Sequence, residues 1–329
     1  APYGDAVAYM GCRSRVIANR HGQAISEGRG NLAPVSINLV RIAIESEGSL
    51  YHKNLRSFWD KLDQILHLAE EQLIHRFNIL CKLKVKDLPF TMGQKLYMGS
   101  ENLNENDSIA EAIKHGTLSI GYIGLAECLT VLTGKHHGEN SNAYQLGIAI
   151  VTRLREYCED MGNRYNLNVT CYATPAEGLS GRFVNLDRQR YGIIAGVTDR
   201  DFYTNSFHVP VYFPISIREK IELEGPFHKY HDAGHISYIE VDAPLHHNPQ
   251  ALEQIHRWMA QADMGYAGVN FPIDECENCA FSGIIGENCP VCGSPYINRV
   301  RRVTGYLSYL HRFAAGKKSE YAERIYHNK

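Results

Sequence analysis

The chain has 329 residues, 44% of them hydrophobic, and a formal charge of -2. That length can bury a real core and fits one large domain or two smaller ones, while the near-neutral charge offers no basic field for a nucleic-acid backbone. No run of about 18 apolar residues reads as a membrane-spanning helix, and the N-terminal "APYGDAVAYMGCRSRV" lacks the basic region and apolar stretch of a secretory leader.

Residues 1–35 are rich in glycine and polar side chains and read as loop. "PVSINLVRIAI" (34–44) reads as a strand, or a strand passing into a helix. From 54 to 82 the apolar positions Leu55, Phe58, Leu62, Ile65, Leu66, Leu73, Phe77 and Leu80 step by three and four, which predicts a long amphipathic helix. Residues 84–118 look irregular. "LSIGYIGLAECLTVLTG" (118–134) begins as a strand and becomes helical. Asn142 is placed to cap a helix reaching about Arg164. "NVTCYATP" (168–175) alternates as a strand does, and "AEGLSGRF" after it reads as a glycine-rich loop. "SFHVPVYFPIS" (206–216) and "HISYIEVDAP" (235–244) are further strand candidates. A helix is expected over 249–262, and the tail from Tyr306 onward is expected to be helical. Alternating helices and strands predict an α/β fold with a mostly parallel sheet, open or closed. A composition shift near Gly265 marks one boundary, giving 1–264 and 265–329.

Nine cysteines are an odd number, scattered over a large chain, and fit reduced thiols in a cytoplasm. Cys12, Cys81, Cys128, Cys158 and Cys171 stand alone, as buried small hydrophobes do. The other four form "CENCAFSGIIGENCPVC", with Cys276 and Cys279 in one pair and Cys289 and Cys292 in the other. Each Cys-x-x-Cys turn brings two thiolates to one tetrahedral ion, which predicts a structural Zn²⁺ site with no open position for water. A pair of redox dithiols or disulfides is the alternative. The sixteen histidines show no paired metal-ligand spacing and read as packing and surface residues.

The cysteine quartet followed by "RVRRVTGYLSYL" resembles the C-terminal end of the anaerobic, class III ribonucleoside-triphosphate reductases, which are glycyl-radical enzymes. "YMGCRS" (9–14), "GRGNLAPVSINLVRIAIE" (28–45), "GYIGLAECL" (121–129), "ATPAEGLSGRF" (173–183), "TNSFHVPVYFPI" (204–215) and "GYAGVNFPIDECENC" (265–279) are similar to that family in the same order. The resemblance implies part of a ten-stranded α/β barrel, ending in a zinc ribbon and a glycyl-radical loop. Gly305 would lose an α-hydrogen and store the radical. A Cα radical is delocalised into the flanking amide nitrogen and carbonyl when the centre can flatten, and a side chain would hinder that.

The match further implies that Cys12 becomes a transient thiyl radical and takes the 3′-hydrogen of the substrate ribose. Met10 and Asn31 match positions of the members that use formate as reductant. Glu177 offers the acid or base that loss of the 2′-hydroxyl as water requires. Gly178, Ser180 and Gly181 would give donors to phosphate oxygens, with Arg182 adding charge. The resemblance implies a radical S-adenosylmethionine activase with a 4Fe–4S cluster, a ribonucleoside triphosphate substrate and a homodimer. Family members are much longer, so the chain reads as the C-terminal half, in need of a complementary N-terminal half. A formate acetyltransferase-like enzyme would carry adjacent cysteines, which this chain lacks. A non-enzymatic zinc-ribbon module would need a basic or aromatic face, which Arg299, Arg301 and Arg302 alone could begin to supply.

Overall fold

The computed structural model of the chain describes residues 9–10, 14–16, 18–242 and 248–327. A short hairpin of β1 (Tyr9–Met10) and β2 (Ser14–Arg15) precedes β3 (Asn31–Asn38), which runs straight into α1 (Leu39–Glu45). A second hairpin, β4 (Gly48–Ser49) with β5 (His52–Lys53), leads to the long α2 (Leu55–Leu80). After a region of turns come α3 (Ala110–Ile113), β6 (Thr117–Ile123), α4 (Leu125–Thr133), α5 (Ser141–Tyr165), β7 (Asn168–Ala173) and α6 (Gly178–Tyr191). Next are α7 (Ile217–Glu224), β8 (Ser237–Glu240), α8 (Pro249–Gln261) and β9 (Ala267–Asn270). The chain ends with β10 (Ile273–Cys276), β11 (Ser282–Gly283), β12 (Ile297–Arg302), β13 (Leu307–Tyr309) and α9 (Ala315–Glu323).

β3, β6 and β7 form a parallel sheet in that order, with Val35 opposite Ile120 and Ile120 opposite Cys171. β8 and β9 form a second parallel pair, and β11-β10-β12-β13 is an antiparallel ribbon. The segment before β8 continues the main sheet: Ala233 donates to the Cys171 carbonyl at 3.0 Å and Ala173 to the Gly234 carbonyl at 3.1 Å. The architecture is mixed α/β. Among the described residues the parallel strands stand as an open sheet, and a closed ten-stranded barrel is not seen.

Side chains alternate across a strand, so each residue of these strands faces one of two environments. Ile37, Leu118, Ile120, Val169 and Cys171 join the apolar core with Leu62 and Leu66 of α2, Leu129 of α4, and Ile150, Leu154 and Cys158 of α5. The opposite face carries Ser36, Ser119, Thr170, Tyr172 and Thr174, whose hydroxyls pair across strands.

Four sequence expectations need correction. Residues 206–216 contain no strand; they run as turns, with Phe213 donating to the Pro210 carbonyl at 2.9 Å. Pro210 and Pro214 have no N–H to give a ladder, which is why the alternating pattern did not become sheet. "AEGLSGRF" is not a loop: Gly178 opens α6, and only Ala176 and Glu177 lie ahead of it. The tail after Tyr306 is first a strand, then a 3-10 turn, and becomes helical only at Ala315. The N-cap of α5 is Asn140, whose side chain accepts from the backbone of Asn142 and Ala143.

The C-terminal helix docks by close approach and charge. The buried residues of α9 are Gly316, Lys317 and Glu320, with Glu320 paired to Lys317 and to Arg324. Arg200 reaches Glu323 at 2.7 Å. At the crossing of α9 with α6, a Cβ on Gly316 would lie 2.9 Å from Gly181 Cα, against backbone that cannot swing aside. Gly316→Ala should therefore destabilise the chain by about 1–3 kcal/mol, although alanine is the better helix former by about 1 kcal/mol. Chemical denaturation of the two proteins checks the sign.

Candidate active site and metal centre

The hydroxyl-bearing face of the sheet is the candidate substrate face. Ser119 and Thr170 pair at 2.9 Å, as do Ser36 and Thr174. Tyr172 pairs at 2.6 Å with Ser14 of β2, so the first hairpin lies on this face. Tyr9 is opposite Arg15 and Met10 opposite Ser14, which leaves residues 11–13 as the connection. Cys12 and the side chain of Met10 fall outside the described residues, as do His246 and His247.

The base of that hairpin is fixed by a buried cation. Arg15 is only 2% exposed. Its backbone N–H donates to the Ala233 carbonyl at 2.8 Å. Its guanidinium donates to the carbonyls of His231 at 3.0 Å and Asp232 at 3.2 Å, and to the Tyr9 hydroxyl at 3.3 Å. Those carbonyls follow a 3-10 helix, Gly225–Tyr230, whose carbonyl end favours a cation. Tyr9 stacks on Tyr266 with ring centres 4.2 Å apart. Beneath lie His228, His231 and His235, all fully buried. His228 pairs with Ser237, and His231 with the Tyr122 hydroxyl, each at 2.9 Å.

The other predicted residues occupy two ends of the sheet. Asn31 opens β3, and its Oδ1 accepts from the Thr117 hydroxyl. Glu177 to Arg182 follow the C-terminal end of β7 and begin α6, whose N-terminus has no side-chain cap. β3 is 8 residues long, so the two ends stand roughly 23 Å apart. Asn31 and Glu177 thus form no single cluster. Any ligand meeting both would extend along the hydroxyl face.

Glu177 is half-buried, and its side chain makes no capping bond. The Ser180 hydroxyl donates to the Glu177 carbonyl at 3.0 Å, Gly178 and Arg182 are exposed, and Gly181 packs on Gly316. Buried Asp187 ties α6 in place, accepting from Asn38 at 2.7 Å, Arg41 at 2.6 Å and the Tyr203 hydroxyl at 2.9 Å.

Gly305 sits in the turn between β12 and β13, where Arg302 pairs with Leu307 and Val303 donates to the Tyr306 carbonyl at 3.0 Å. Arg302 reaches across to β9, donating to Asn270 Oδ1 at 2.6 Å, and back to the Gly305 carbonyl at 3.3 Å. The Gly305 turn therefore rests on the β8–β9 pair. The first hairpin reaches the same pair through Tyr9 on Tyr266, the residue before β9. Ser36, Ser119, Thr170, Tyr172, Arg15 and Tyr9 escaped the sequence reading. No regular spacing marked them: the face they line also carries Pro34 and Gly121.

The four ribbon cysteines converge, their sulfurs all within 4.8 Å of one another. Cys276 and Cys292 stand 3.5 Å apart and Cys279 and Cys289 3.6 Å. Tetrahedral Zn–S bonds of about 2.3 Å put sulfurs roughly 3.8 Å apart, so the cluster fits such an ion. Asn278 donates to Cys292 Sγ at 3.6 Å, and this bond, with backbone donation around Ser294, holds that thiol down at about 6. The ribbon's own apolar core is small: Cys276, Ile285 and Cys289, with Phe281 and Ile297 packed against them. Metal chelation should therefore open 273–302 to amide exchange while α2, α4 and α5 keep their protection. Exchange mass spectrometry before and after chelation reads this directly.

Burial holds several histidines neutral: His137 and His327 are pushed down to about 3, and His228 and His235 well below their ordinary value. Below pH about 6.5 the unfolded chain takes up protons that the folded chain refuses. Stability present above that pH is lost as pH falls, by about 1.4 kcal/mol per unit for each such histidine. Urea midpoints at pH 7, 6 and 5 should fall steeply through this range.

The family model for anaerobic ribonucleoside-triphosphate reductase matches residues 2–327. Among curated proteins, the anaerobic ribonucleoside-triphosphate reductase of Escherichia coli is 38% identical over 97% of this chain and 46% of its own length. The enterobacteria phage T4 protein of the same name is 34% identical over 98% of this chain and 53% of its own. The chain thus spans about half the length of the curated relatives it matches. Among solved structures, an anaerobic ribonucleotide reductase aligns with a TM-score of 0.69 at 20% identity, over 90% of this chain and 45% of that one. The Thermotoga maritima anaerobic ribonucleotide reductase with dATP in its specificity site gives 0.68 at 20% identity, over 89% and 45%. At that identity the structural likeness is one of fold. Together with the family match, it shows that this chain belongs to the anaerobic ribonucleoside-triphosphate reductases.

Proposed function

We propose that the chain is the C-terminal catalytic portion of an oxygen-sensitive reductase, converting ribonucleoside triphosphates to 2′-deoxyribonucleoside triphosphates by glycyl and thiyl radical chemistry. The observation that carries this reading is the shared footing of two loops. Tyr9 of the first hairpin stacks on Tyr266, the residue before β9, and Arg302 beside the Gly305 turn donates to Asn270 at the end of β9. Head and tail of the chain thus reach one short strand, the head from the hydroxyl-lined face of the sheet.

In this reading residues 1–264 form half of a ten-stranded barrel, and 265–329 carry the ribbon and the radical turn. The Gly305 α-hydrogen leaves as an atom to an activase that uses S-adenosylmethionine and a 4Fe–4S cluster. The resulting Cα radical takes a hydrogen atom from the Cys12 thiol, restoring glycine and leaving a thiyl. That sulfur removes the ribose 3′-hydrogen. S–H and C–H bonds of comparable strength let the transfer run in both directions.

Glu177 serves the proton transfers that release the 2′-hydroxyl as water. The N–H groups of Gly178 and Ser180 at the start of α6 hold phosphate oxygens, with Arg182 adding charge and Gly181 seating the helix on α9. Met10 and Asn31 favour formate as the reductant, which would leave as carbon dioxide. The four cysteines hold zinc, whose task is to brace the ribbon below Gly305 rather than to bind substrate. The activity belongs to a cytoplasmic homodimer completed by an N-terminal half.

Activation of the assembled enzyme should give a glycine-centred signal in electron paramagnetic resonance, and air should then cut the chain at Gly305. Gly305→Ala should remove both the signal and deoxynucleotide formation. An alanine variant that activates as the parent does sinks the proposal.

A further inference from the structure

We propose that Arg302 tunes the Cα–H bond of Gly305, through a charge-assisted hydrogen bond from its guanidinium to the Gly305 carbonyl. The inference rests on the reading of Gly305 as the radical site and assigns it a positioning and electronic partner. Arg302 Nη1 lies 3.3 Å from that carbonyl oxygen.

The guanidinium is held on several sides. Its Nε donates to Asn270 Oδ1 at 2.6 Å, and Asn270 in turn donates to Glu240 at 2.9 Å. It lies across Gly268, where a Cβ would come within 3.3 Å of Nη2, tighter than an ordinary contact. Tyr238 presents its ring 5.9 Å away. The Arg302 carbonyl is itself fixed by Arg324 Nη1 at 2.9 Å.

Homolysis removes one hydrogen atom, proton and electron together, and leaves one electron on Cα. That electron spreads into the amide nitrogen and the carbonyl. Spread into the carbonyl puts added negative density on its oxygen, which a guanidinium N–H stabilises more than it stabilises the closed-shell amide. An interaction stronger in the radical than in glycine weakens the bond to be broken, as only differential binding can. The arginine keeps all its protons, and no further reactant enters. Arginine suits the task because it stays charged at any working pH and its fork serves Asn270 and Gly305 at once. A lysine offers a single point charge and cannot span both.

The test compares the parent with Arg302→Met, Arg302→Lys and Asn270→Ala. In the unactivated chain, the carbonyl ¹³C signal of Gly305 reports the hydrogen bond. In the activated, assembled enzyme, high-field electron paramagnetic resonance reports the g-values and yield of the radical. Arg302→Met should shift both the ¹³C signal and the g-values and lower the radical yield by about tenfold. Asn270→Ala should move them in the same direction by less, and Arg302→Lys should recover part of the loss.

An Arg302→Met radical with parental g-values and yield overturns the proposal, and so does an unmoved ¹³C signal. A lost radical supports it when amide exchange across β12 and β13 stays parental. Loss together with opening of that hairpin overturns it in favour of a purely structural arginine. A silent parent sinks the reading of Gly305 and this proposal with it, whereas a normal parent beside an unmoved Arg302→Met sinks this proposal alone.

Discussion

A parallel sheet is stable only when both of its faces are covered. Here the helices cover one face of β3, β6 and β7, and that face is apolar. The other face is built of hydroxyls that bond to one another and to Ser14 of the first hairpin. A face of that composition gains little from burial against apolar side chains. It calls for polar cover, from the chain's own hairpin and from a ligand. The placement of the candidate site follows from this one asymmetry.

The contacts that hold the first hairpin, the Gly305 turn and the last helix are polar as well. Arg15 pins the first hairpin to backbone carbonyls, and Arg302 pins the Gly305 turn to Asn270. The last helix buries Lys317 and Glu320 where a core helix would bury leucine. Buried ion pairs contribute little net stability, since desolvation offsets most of the attraction, but they demand one geometry. Two loops distant in sequence are thereby brought to one strand pair by contacts that specify position more than they add cohesion. A metal held by the four ribbon cysteines would do the same for a segment whose own apolar core is small.

The order of the strands also explains why the predicted site residues are not all neighbours. Asn31 and Glu177 belong to opposite ends of one sheet, because β3 starts where the chain arrives and β7 ends where α6 departs.

Much of this was legible in the residues. The long helix α2 follows from apolar steps of three and four, and the two strand-to-helix passages at 31–45 and 117–133 follow from a change of period. The convergence of Cys276, Cys279, Cys289 and Cys292 follows from their spacing, since short loops fix thiolate geometry locally. Local signals misled in two ways: 206–216 alternates as a strand, yet its own prolines leave it without a ladder, and "AEGLSGRF" reads as a loop although Gly178 opens a helix whose Gly181 packs on distant Gly316. The polar side of the sheet, the grip of Arg15 on His231 and Asp232, and the reach of Arg302 to Asn270 were beyond the sequence altogether. Periodicity is a property of adjacent residues and survives reading along the chain, whereas a contact between positions 15 and 231, or 270 and 302, exists only after the backbone has closed the distance.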